Sequence, residues 1–119
     1  MRNRSSSSSG AVFLDRRQAV DEIRHAVRRL AGERPGVLEV WLFGSLARAD
    51  ATPRSDADLL IIVDRDDRRP MDRAPEFLRL LACVGRPVDV IVATADEWRA
   101  CAGSRFHAEI QARGLRLHP

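Results

Sequence analysis

The sequence contains no lysine and no tyrosine, only two cysteines, and aromatic residues make up just 5% of it. Each shortage excludes something. Cys83 and Cys101 belong to no C-x-x-C or Cys/His pattern, so neither a zinc site nor a disulfide framework is expected, and a reducing cytoplasm is the default compartment. No apolar run approaches the roughly 18 residues that cross a bilayer, which removes the membrane classes. All 20 basic residues are arginine, a bias that GC-rich coding explains as readily as selection for phosphate contacts. The net charge of +3 and isoelectric point near 10 therefore do not amount to a nucleic-acid surface. The arginines are scattered among 17 acidic residues, and rings for base stacking are few.

What is present is the composition of a folded domain, 45% hydrophobic and 31% charged over 119 residues, enough for one core and not for two. Residues 1–11, basic and then serine-rich, read as a disordered tail ahead of a domain over 12–119, since the apolar stretch that follows is too short for a secretory signal. Asp15 with Gln18 marks a helix start, and Val20, Ile23, Val27 and Leu30 recur at helical spacing until Gly32, Pro35 and Gly36. Residues 37–43 and 58–63 read as buried strands, 71–82 as a helix with Ala74, Phe77, Leu78 and Leu81 on one face, and 87–93 as a third strand. Between the first two strands, 46–49 is expected as a short helix and 50–55 as a loop. Residues 64–69, with charges of alternating sign, are expected as a solvated loop. Thr94 and Glu97 make a capping box, Ser104 caps a last helix, and Gly114 ends it. Trp41 reads as core, His25 as a helix flank and His107 as a partly buried structural histidine. The fold class expected is α/β of the α+β type, a small mixed sheet flanked by helices.

Chemistry concentrates where the first strand ends. Gly44-Ser45 closes that strand, and ten residues later Asp56-Ala57-Asp58 opens the second. A glycine at such a turn lets backbone N–H groups approach a phosphate, and a helix N-terminus favours its charge; the same dipeptide also serves as an ordinary helix cap. Strand residues two apart project to the same side, which sets the Asp56 and Asp58 carboxylates together. At about 5 Å they repel by roughly 3 kcal/mol at an effective dielectric of 20, and a bound cation reverses that sign. A solvated strand start explains Asp56 but less easily Asp58, which is followed by five branched aliphatic residues. Asp89 lies inside the third apolar strand, between Val88 and Val90, where a charge is costly unless Arg86 or Arg54 pairs with it. If that strand neighbours the second, three carboxylates converge, and an oxygen-only cluster suits Mg²⁺ on substrate phosphates rather than zinc.

Leu42-Phe43-Gly44-Ser45-Leu46-Ala47-Arg48, Ser55-Asp56-Ala57-Asp58-Leu59-Leu60 and Val88-Asp89-Val90 together resemble the minimal nucleotidyltransferases of the DNA polymerase beta superfamily. The resemblance runs from the first helix to residues 106–110 and 114–117, and departs at Ala49, where many relatives carry glycine. It implies the polymerase beta-like nucleotidyltransferase fold. It also implies transfer of a nucleoside monophosphate, AMP from ATP or the equivalent from another NTP, to a hydroxyl, with release of pyrophosphate. Asp56, Asp58 and Asp89 would hold Mg²⁺, two ions in all, with Asp89 also helping to deprotonate the acceptor; Gly44, Ser45 and Arg48 would hold the nucleotide. Larger members add a helical region that holds the acceptor. The resemblance therefore implies a separate helical acceptor protein, a HEPN-type toxin, for which this chain is a type VII-like antitoxin. The alternatives are a module that neutralises a toxin by occlusion alone and a transferase acting on a small molecule such as an aminoglycoside. Having no tyrosine, a tyrosine-directed transferase of this kind could not modify itself.

Overall fold

The computed structural model describes residues 4–48 and 56–118, with side chains from Arg16 onward. Ala49, Arg54 and the expected loop over 50–55 lie outside the described residues. The elements in order are α1 (Arg4–Glu33), β1 (Val37–Phe43), β2 (Ala57–Val63), α2 (Pro70–Leu80), β3 (Val88–Thr94), α3 (Ala95–Ala100), α4 (Arg105–Arg113) and β4 (Leu115–His118). The strands form one mixed sheet in the order β3-β2-β1-β4, the class expected. β1 runs antiparallel to both β2 and β4, and β2 runs parallel to β3.

The unbroken apolar run of β2 follows from its interior position. Leu59, Ile61 and Val63 join Val40 and Leu42 against the α1 stripe of Val20, Ile23, Val27 and Leu30, together with Phe77 and Leu81. Leu60 and Ile62 point the other way, to Trp41 and Ile110, with Phe43, Trp98 and Phe106 packed around them. A strand covered on both faces has no position left for a polar side chain along its covered length. Ile23, Leu30 and Phe77 are at most 1% exposed, and burial of each contributes about 1.5–3 kcal/mol. Among the described residues no helix is long and apolar enough to cross a membrane.

Several local expectations change. α1 extends back to Arg4 through the serine-rich segment read as a tail, so Asp15 lies within the helix rather than capping it. Lengthening a helix that already exists adds a hydrogen bond per residue without repeating the cost of nucleation. The described part of the short helix expected over 46–49 is a turn, closed by the Arg48 N–H on the Gly44 carbonyl (3.1 Å). Leu78, placed on the buried face of α2, is exposed, whereas Arg73 is only 3% exposed. The buried stripe of that helix is Arg73, Phe77 and then Leu81, at intervals of four. Asp66 is likewise not solvated: its side chain is 7% exposed, accepts from the Arg68 guanidinium (2.7 Å) and lies 3.9 Å from Arg73.

The caps form as the sequence implies. Thr94 and Glu97 make both halves of the capping box of α3, and the Ser104 hydroxyl accepts from the His107 N–H (3.1 Å) at the start of α4. Gly114 ends α4, though without a left-handed backbone (φ −71°). A Cβ there would lie 2.6 Å from the Ile110 carbonyl oxygen and 3.1 Å from the Trp41 ring, so close approach is what demands glycine. Trp41 is buried, His25 is exposed, and His107 is partly buried with its ring 4.5 Å from that of Trp98. Both cysteines are free.

Candidate active site

Strand directions gather the singled-out residues at one end of the sheet. β1 arrives there and β2 departs, so Phe43 lies opposite Asp58, and Gly44 follows at once. β3, parallel to β2, begins at the same end, with Asp89 directly beside Asp58. The pleat then selects the face. Leu60 and Ile62 face the α3/α4 layer, so Asp58 shares their side, while Val88, Val90 and Val92 pack toward α1 and α2 and leave Asp89 on the side of Asp58. Asp56 sits exposed just ahead of β2.

The position of Asp89 corrects one step of the sequence argument. It is exposed on an outer strand, and its apolar neighbours point to the opposite face, so the burial cost expected of it does not arise. Alternation along the strand explains the flanking valines. Asp58 is the partly buried member of the group. Its carboxyl is pushed above the usual aspartate range by burial first, then by the charges of Asp89 and Asp56, while Arg48 pulls it back. All three carboxylates and the Arg48 guanidinium therefore act within one electrostatic neighbourhood.

Gly44 completes the contact. It has φ +77°, which suits glycine, and a Cβ on it would overlap the Asp58 carboxylate oxygen Oδ2. Ser45 is half-buried in the turn that follows, and Arg48 is exposed at its end. The carbonyls of Leu46 and Ala47 in that turn accept from Arg16 of α1, through Nε (2.8 Å) and Nη2 (3.1 Å). Arg16 did not stand out among the arginines of α1. The signal that marks it is helical phase, because residue 16 continues the stripe of Val20, Ile23, Val27 and Leu30.

The donor set fits a hard divalent cation. Three carboxylates whose mutual repulsion already disfavours the ionised Asp58 offer oxygen ligands only, as Mg²⁺ prefers. Among the described residues no three acidic, histidine or cysteine side chains are already gathered closely enough to hold a metal.

Residues 20–111 match the family described as the nucleotidyltransferase domain. The chain belongs to this family. A solved structure of a Sulfolobus solfataricus protein described as a nucleotidyltransferase is similar in fold to this domain, with TM-score 0.62 and 21% identity over 88% of this chain and 84% of that one. A toxin–antitoxin structure with AMP-PNP gives 0.53 and 18%, over 79% and 71%. A variant of the toxin–antitoxin pair MntA–HpeT, with two aspartates two positions apart replaced by glutamate, gives 0.51 and 16%, over 79% and 70%. At these identities the likeness is one of fold. A comparison with curated proteins found no match. The four-stranded mixed sheet with flanking helices is thus a nucleotidyltransferase domain, and its Asp-x-Asp strand start lies beside its Gly-Ser turn.

Proposed function

We propose that this nucleotidyltransferase domain moves AMP from ATP to a hydroxyl on a separate helical protein of the HEPN toxin type, acting as the antitoxin of that pair. The observation that carries the transfer is Asp58 in register with Asp89 and coupled to Asp56, set against Gly44 where no side chain intervenes. Asp89, exposed on the outer strand, leaves the acceptor side accessible to a macromolecule. The AMP-PNP and MntA–HpeT structures support the reading by analogy of fold.

Asp56, Asp58 and Asp89 are the residues that would hold Mg²⁺, which when bound neutralises the triphosphate and stabilises the departing pyrophosphate. Gly44 and Ser45 bind the β- and γ-phosphates through N–H groups and the serine hydroxyl, and Arg48 adds a positive charge beside them. The Asp89 carboxylate takes the proton of the acceptor hydroxyl as its oxygen bonds to the α-phosphorus and the bond to pyrophosphate breaks.

The test is incubation of the purified protein with Mg²⁺, ATP labelled at the α-phosphate, and candidate helical proteins of the HEPN type, including any that a neighbouring reading frame encodes. Label is expected on the partner. ATP binding with every candidate partner left unlabelled would overturn the proposal. A second outcome follows from the turn: Gly44→Ala is expected to cost about 1–3 kcal/mol of stability, from the positive φ and the overlap with Asp58, and to weaken ATP binding more than about tenfold. Urea melts and ATP titrations on the same preparation measure both.

A further inference from the structure

From the two hydrogen bonds that cross from α1 to the Gly-Ser turn, we infer that Arg16 is a positioning residue for nucleotide binding, one that holds the turn in its phosphate-ready shape. This rests on the reading of Gly44–Arg48 as the triphosphate turn. Among the described residues the turn is closed by Arg48 N–H on Gly44 O, and its next two carbonyls, those of Leu46 and Ala47, take their donors from across the fold, on Arg16. Leu46 is 1% exposed, so water is a poor substitute at that position, and the planar guanidinium of Arg16 answers both carbonyls at once. Satisfying the carbonyls from behind fixes the plane of each peptide, and with it the direction of the N–H groups on the other side. The guanidinium also places a positive charge at the carbonyl end of the turn, complementing its dipole.

The arrangement links two distant parts of the chain. Arg16 stands at the near end of the stripe that α1 buries against the sheet, so the turn is braced by the helix that anchors the core rather than by its own short sequence. Among the described residues Arg16 donates to the Leu46 and Ala47 carbonyls and to none of the three carboxylates. Its loss should therefore separate two affinities that a general loss of structure would move together: that for the triphosphate, gripped by the turn, and that for the bare metal, held by Asp56, Asp58 and Asp89.

The experiment titrates Mg·ATP by calorimetry and Mn²⁺ alone by paramagnetic resonance, on wild type, Arg16→Ala and Arg16→Lys. Arg16→Ala is expected to weaken ATP by about tenfold, the loss of about two hydrogen bonds of ordinary strength, while Mn²⁺ affinity stays within about twofold. Arg16→Lys keeps the charge and the stem but not the two-donor fork, and is expected to recover part of the loss. Wild-type ATP affinity in both variants overturns the inference, as does an equal fall in ATP and Mn²⁺ affinity. If Arg16→Ala does not fold, Arg16→Lys decides alone by the same contrast. Failure of the wild type itself to bind ATP refutes the proposed function instead, so the two failures are distinguishable.

Discussion

Asp58→Asn is expected to abolish transfer and, in the absence of metal, to leave the protein more stable than the wild type. The opposed signs follow from one cause. Burial and the charges of Asp89 and Asp56 raise the Asp58 pKa in the folded state above its ordinary value of 3.8. A carboxyl so raised binds more protons folded than unfolded. Stability therefore falls as pH climbs from the ordinary value through the raised one, and at neutral pH the ionised group is a net burden. Asparagine removes that burden, and Tm is expected to rise in metal-free buffer. It also removes a ligand from the group that would hold the cation, and a fall in transfer of at least about 10³-fold is expected, at the upper end for loss of one electrostatic stabiliser in an active site. Saturating Mg²⁺ and nucleotide should reverse the ranking in thermal melts, since a ligand at 100 times its Kd stabilises by about 2.7 kcal/mol and the variant forfeits this. A metal-free Asp58→Asn protein that melts below the wild type would mean that the three carboxylates do not repel one another as described.

Arg73→Ala is expected to cost about 2–4 kcal/mol with little change in affinity for metal. The side chain stands at the start of α2 and joins three segments of the chain. Its Nε donates to the Arg68 carbonyl (2.9 Å) and Nη2 to the Asp66 carbonyl (3.1 Å), while Nη1 reaches the Val92 carbonyl on β3 (3.2 Å) and the Glu97 carboxylate on α3 (2.6 Å). Glu97 is 44% exposed, so water can replace the ion pair and that part of the loss is small. The three carbonyls and the buried stem carry most of the cost. Arg73→Met, which restores the stem but no donor, should recover only a fraction in urea unfolding, and full recovery would reduce Arg73 to a space-filler. The same cluster sets the acid limb of stability. Hydrogen bonding to Arg68, ahead of the field of Arg73, lowers the Asp66 pKa from 3.8 to about 2. Asp66 therefore contributes stability that is fully present above about pH 4 and is lost as pH falls through about 2, and Glu97, also lowered, acts in the same direction. Asp66→Asn should flatten that limb.

The two arginines that organise the molecule are legible in principle and escape an apolar-periodicity reading for the same reason. Apolar periodicity locates α1 and α2 well, but a count of apolar positions skips a charged residue that falls in phase with them. Arg16 precedes Val20 and Ile23 on one stripe, and Arg73 precedes Phe77 and Leu81 on another. A long side chain can lie along an apolar stripe and deliver its charged end to carbonyls beyond the edge. Residues 64–69 form the solvated loop that alternating charge implies, except at Asp66, whose side chain a buried partner, Arg73, draws inward. The strands and the caps of α3 and α4 were readable because local rules decide them. The meeting of Asp58 with Asp89 was conditional on strand order, which no local pattern contains, and the exposure of Asp89 depended on β3 lying at the sheet edge.

The side-by-side register of β2 and β3 also means that changes of chain length are not felt equally along the sequence. Between Val63 and Val88 the crossover bears no member of the carboxylate group, so a residue gained or lost in its surface loops can be absorbed there. A single insertion between Val88 and Asp89 would instead turn the aspartate from the α3/α4 side into the layer of α1 and α2, exchanging every inward and outward position of the strand after it. Lineages of this domain should accordingly vary in the length of that crossover while the strand starts at Ala57 and Val88 stay fixed in count relative to their aspartates.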